Sequence, residues 1–153
     1  MWVIAAMTTE PLDSKQFSHW GPTIRDELLK RVHAGVLTVG ESLHQVFVEI
    51  FGSERTREER YLFLLLATPI ARKIAIQRAN ASDRIGSTDL SVADLEMWFG
   101  WLDTMDPLSA RMIDLHYFAG LGCKETAAVL DLPPQAVLRD LRFAKAWLML
   151  RLN

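Results

Sequence analysis

The sequence is poor in the groups most often recruited for chemistry. A single cysteine, Cys123, in 153 residues excludes an intrachain disulfide and any cysteine metal cage. The four histidines, His19, His33, His44 and His116, show no ligand spacing with carboxylates or with that cysteine, so no metal site is expected. Paired carboxylates, a nucleophile–base set and a phosphate loop are all missing, and the GLG at 120–122 is too short for a nucleotide fingerprint. These shortfalls argue against an enzyme and leave no cofactor to expect. Positive charge is not in surplus either: 17 Lys and Arg face 19 Asp and Glu, for a net charge of −2. A chain that binds nucleic acid without reading it is usually basic, so any such contact here must be confined to one patch, or be helped by a partner with its own positive surface. The longest apolar run, LFLLLATPIA, is too short to span a bilayer and is broken by Pro69, which predicts a buried helix and no membrane partner. The opening MWVIAAM lacks a basic flank and soon meets Glu10, so no signal peptide is read; with one cysteine in the chain, a reducing, cytoplasmic setting is expected.

What is present is helical periodicity. Half the residues are hydrophobic and 24% are charged, which suits a soluble globular chain. Ile24, Leu28 and Val32 mark one face of a helix from about Pro22 to His33. Leu43, Val46, Phe47, Ile50 and Phe51 mark a second, from about Glu41, which Gly52 ends. Thr56-Arg57-Glu58-Glu59 fits a capping box and opens a third helix that runs to about Ala79, with a kink expected at Pro69. The small, polar ASDRIGSTD at 81–89 reads as a linker. A fourth helix spans about Ser91 to Met105, and Asp106-Pro107 caps a fifth that ends at Gly120 in the left-handed conformation. No strand, repeat or low-complexity block is found. The expected architecture is all-α: a flexible tail over 1–17, a helical lobe over 18–80, a linker over 81–90 and a second lobe over 91–153. Trp98, Phe99 and Trp101 hint at an apolar patch near the linker, able to seal the lobes together or receive an inhibitor protein.

The richest stretch is GLGCKETAAVLDLPPQAVLRDLRFAKAWL, Gly120 to Leu148. Cys123, Thr126, Ala127 and Leu130 form one stripe of a short helix, and Val137, Leu141, Ala144 and Leu148 form one on the next. Between them, Pro134 can restart a helix, because its missing N–H would be unpaired there anyway. The outward positions of the second helix include Gln135, Arg139, Arg142 and Lys145. That is the layout of a helix-turn-helix, in which cationic side chains reach phosphates and an Arg or Gln near the helix start reaches base edges. An ordinary amphipathic helix with a solvated basic face is the competing reading of the same residues.

With these residues in view, the chain resembles the small bacterial sigma factors of the extracytoplasmic-function type. LDTMDPLSARMIDLHYFAGLGCKETAAVLDLPPQAVLRDLRFAKAWL is similar to their fourth conserved region, and RDLRFAKAWL is especially close to one subgroup. SLHQVFVEIF and RYLFLLLATPIARKIAIQRANA resemble two helices of the second region, the first docking on the polymerase clamp and the second lying near the melted promoter element. The resemblance implies a sigma subunit that binds core RNA polymerase at clamp and flap and directs promoter-specific initiation. It implies DNA contacts by Lys124, Gln135, Arg139, Arg142 and Lys145, and by Arg72, Lys73 and Arg78 of the third helix. It also implies a polymerase contact by His44, Gln45 and Glu49. An anti-sigma factor or a regulatory kinase would be a further partner. Phosphorylation at Ser42, Ser53 or Thr56 would supply the negative charge that Gln45 lacks where the family usually has Glu. Other departures are Asp131 for a turn Gly, Pro133 for a capping Ser, and Ala136 and Leu138 for a Thr and a Lys. The alternatives are a degenerate sigma-like regulator acting through protein contacts, and a stand-alone helix-turn-helix DNA-binding protein.

Overall fold

The computed structural model describes residues 13–34, 37–81 and 92–152, and among these every regular element is a helix. The front half begins earlier than its periodicity suggests. Asp13 caps α1 (Ser14–His19) by accepting from the Gln16 amide at 2.9 Å. The helix thereby places Phe17, 1% exposed, edge-on against Phe51 at 5.1 Å and Phe63 at 6.1 Å. Residues 14–17 are thus part of the folded body rather than the flexible tail expected over 1–17; residues 1–12 lie outside the described residues. Next come α2 (Gly21–Ala34) and α3 (Val39–Phe51). The Thr38 hydroxyl caps α3, accepting from Glu41 N at 3.1 Å. α4 (Arg57–Ala81) opens on the expected capping box: Glu59 N donates to the Thr56 hydroxyl at 3.2 Å, and Thr56 N donates to the Glu59 carboxylate at 3.0 Å. Pro69 lies inside this 25-residue helix without ending it.

The rear half comprises α5 (Val92–Met105), α6 (Pro107–Ile113), α7 (Cys123–Leu130) and α8 (Pro134–Leu152). The fifth predicted helix is not one regular α-helix. After Ile113 it widens into a π-helical segment, Asp114–Phe118, which closes at Gly120 with φ +78°. Widening a turn rotates the side chains that follow. Here it accompanies an inward Leu115 and, across the turn, an inward Leu121, whose N–H donates to the Leu115 carbonyl at 3.0 Å.

The halves meet across a shared interior. Leu115, Leu121 and Val129 of the rear half belong to the same apolar cluster as Leu28, Leu43, Val46 and Phe63. Ile76 of α4 in turn joins Trp98, Phe99, Val137 and Leu141. The predicted linker at 81–90 falls, but for Ala81, outside the described residues. At one point the backbones nearly touch: a Cβ on Gly40 would lie 2.5 Å from the Ala119 carbonyl oxygen, so only glycine lets the start of α3 approach the end of the π segment. No described helix is long and apolar enough to cross a membrane.

Candidate nucleic-acid interface

The candidate surface is carried by α7, a three-residue connection and α8. Asp131 ends α7 in the left-handed conformation (φ 56°, ψ 50°), a backbone that glycine adopts at no steric cost and aspartate tolerates better than most residues. Leu132 N then donates to the Ala127 carbonyl at 2.9 Å, a reverse bond that satisfies the end of the helix and turns the chain. The Pro133 carbonyl accepts from Ala136 and Val137 at 3.0 and 3.2 Å, so α8 starts on backbone bonds without a side-chain acceptor. Val137, Leu141 and Ala144 turn inward onto the second cluster. That leaves Gln135, Arg139, Arg142 and Lys145 exposed on the opposite side, and Lys124 exposed on α7. Arg139 lies 3.3 Å from Asp140, but its side chain is 77% exposed, and a pair so hydrated holds the guanidinium only weakly. Gln135, Arg142, Lys145 and Lys124 make no side-chain hydrogen bond or ion pair among the described residues, so their donors are free for phosphates and base edges.

The cations of α4 divide differently. Lys73 is exposed. Arg78 is exposed too, yet its Nη1 donates to the Val32 carbonyl at 2.9 Å and ties α4 to the end of α2. Arg72 overturns the expectation of a DNA contact, since it is 1% exposed and sits between the halves. Its Nη1 donates to Asp114 at 3.0 Å and its Nη2 to Asp103 at 3.0 Å, while its guanidinium lies 4.5 Å from the Phe99 ring centroid. Arg111 closes the cluster, with Nη2 at 2.7 Å from Asp103 and 3.2 Å from Asp114. Burial pushes the Asp114 carboxyl up from its ordinary value, against the opposing pull of Arg72 and Arg111. A guanidinium buried in this position, with both Nη atoms committed to Asp114 and Asp103, joins the halves and is out of reach of a phosphate.

The α3 residues keep their exposure. His44 and Gln45 line one wall of a groove of about 720 Å³ whose other wall is 117–120 of the π segment and its end. Glu49 is also exposed, but its carboxylate accepts a hydrogen bond from Arg31 of α2. The modification expectation fails at Ser42, which is fully buried with its hydroxyl donating to the Thr38 carbonyl at 2.9 Å. The Thr56 hydroxyl is engaged in the capping box, which leaves Ser53 as the exposed hydroxyl not engaged in such a cap. Trp98 and Phe99 are buried, so these two rings are interior packing, in one cluster with Ile76 of α4. Trp101 alone of the three is exposed, stacked on Trp147 at 5.0 Å.

A model of the ECF sigma factor family matches residues 70–153, more than half of the chain. The match begins inside α4 and takes in all of the rear half. No curated protein and no solved structure matches the chain.

Proposed function

We propose that this chain, which belongs to the ECF sigma factor family, joins core RNA polymerase as a sigma subunit and reads the upstream promoter element with α8. Its place in transcription initiation follows from the family; the assignment of contacts to residues is our reading. The observation that carries it is the exposed polar ridge of Gln135, Arg139, Arg142 and Lys145, standing on a helix that buries Val137, Leu141 and Ala144 in the core on its other side. In a helix-turn-helix the second helix enters the major groove with its N-terminal residues toward base edges. Gln135 and Arg139 occupy those positions, and Arg142, Lys145 and Lys124 lie where phosphates run. Polymerase supplies most of the non-specific affinity, so a net charge of −2 is no obstacle. His44, Gln45 and Glu49 on α3 form the surface offered to polymerase. In this reading the first lobe, 18–80, holds the enzyme and the second, 91–153, holds the promoter.

The test is transcription by reconstituted polymerase on genomic fragments. Arg139→Ala combined with Arg142→Ala is expected to abolish promoter-directed transcripts while polymerase is still captured in a pull-down. Full transcription by the double variant would refute the contact assignment. A second reading, a sigma-like regulator that works through protein contacts, draws support from the exposed Met97, Met105 and Leu108 on α5 and α6. Partner binding without any promoter preference would favour it.

A further inference from the structure

On α8, Gln135, Leu138, Arg139 and Arg142 fall at i, i+3, i+4 and i+7, one face of the helix, and all four are exposed. Three of them are polar. Leu138 is not, yet it is 40% exposed and belongs to neither apolar cluster of the core. From Gln135 to Arg142 this face rises about 10 Å at 1.5 Å per residue, roughly three base-pair steps. Leu138 stands within the first two turns, the part of a recognition helix that meets base edges. An apolar side chain finds one apolar group in the major groove, the C5 methyl of thymine, and a glutamine pairs best with the N6/N7 edge of adenine. The two groups occur together, because every A·T pair carries both.

We infer that Leu138 is a specificity-determining residue that packs on a thymine methyl beside the adenine edge taken by Gln135. The inference rests on the reading of α8 as the promoter-reading helix. A bare leucine in water gains nothing from exposure, and a thymine methyl covers its surface without asking for a hydrogen bond. Arg139, toward the base edges, and Arg142, toward a phosphate, stand beside it, and the phosphate contact fixes the register. The ridge is therefore built to prefer an A·T step set between stronger polar contacts. Lysine at position 138 would add a phosphate contact and give up this discrimination.

The probe is a set of duplexes enriched by the reconstituted holoenzyme from a pool randomised over the upstream element. In the enriched duplex, each thymine is replaced in turn by uracil, which deletes the methyl and leaves every hydrogen-bonding group in place. Wild type is expected to lose about fourfold in affinity at one position, the effect of uncovering one methyl group. Leu138→Ala is expected to bind the thymine and uracil duplexes alike at that position, with its thermal melting unchanged because the site is exposed. Sensitivity to uracil nowhere, or the same sensitivity in Leu138→Ala, would overturn the inference and leave promoter reading by α8 intact. If no duplex is enriched above the random pool, the reading of α8 falls, and the role of Leu138 with it.

Discussion

Phe17 stands edge-on against Phe51 and Phe63 inside the first apolar cluster, so truncating its ring opens a cavity there. Phe17→Ala is expected to cost about 3–5 kcal/mol of stability, read as a lower midpoint in chemical denaturation. Deleting the residues up to and including 17 should do the same, since α1 is anchored by this side chain. Glu27 carries a different kind of information. The Arg31 hydrogen bond, with Lys30 adding to it, holds its carboxyl below the ordinary value in spite of burial. A carboxyl lowered by folding stabilises the native state fully above its unfolded pKa, and that contribution is lost as pH falls through the folded pKa. Glu27→Gln should accordingly flatten the acid side of the stability–pH curve and leave the fall-off of other carboxylates in place.

At the scale of the element, the turn between α7 and α8 holds the one non-glycine residue with positive φ among the described residues, Asp131 at 56°. Left-handed backbone costs an L-residue about 1–2 kcal/mol, less for aspartate, while glycine gives back part of any gain in unfolded-chain entropy. Asp131→Gly is expected to raise stability by roughly 0.5 kcal/mol and Asp131→Val to lower it, both measured by thermal melting. Most elements were legible from residues alone. Ile24, Leu28 and Val32, and the Thr56–Glu59 box, announced α2 and α4 because periodicity and capping act locally. The π segment was not legible, because a widened turn answers to the packing of Leu115 and Leu121 against a distant cluster. Nor was α1, whose six residues are too few to show a period. The ridge on α8 could be read, since its apolar stripe alone fixes which side chains face out.

Over the whole molecule, Arg72 and Asp114 do what no local pattern discloses. Asp114 sits within the apolar run MIDL, and an acid in a buried stripe calls for a buried base, here one 42 residues away in the chain. Arg72→Ala leaves that carboxylate partly unpaired between the halves and is expected to cost about 3–5 kcal/mol. Arg72→Met combined with Asp114→Leu should restore much of the loss, because Arg111 and Asp103 remain paired at 2.7 Å and the buried charges are gone together. Thermal melting of Arg72→Met alone, Asp114→Leu alone and the two combined separates this coupling from simple additivity.

Gly40 carries the same closeness into heredity. With the Ala119 carbonyl where even one methyl group would sit, drift at codon 40 is not silent for the contact between the halves. A descendant that carries alanine there has had to move one backbone off the other.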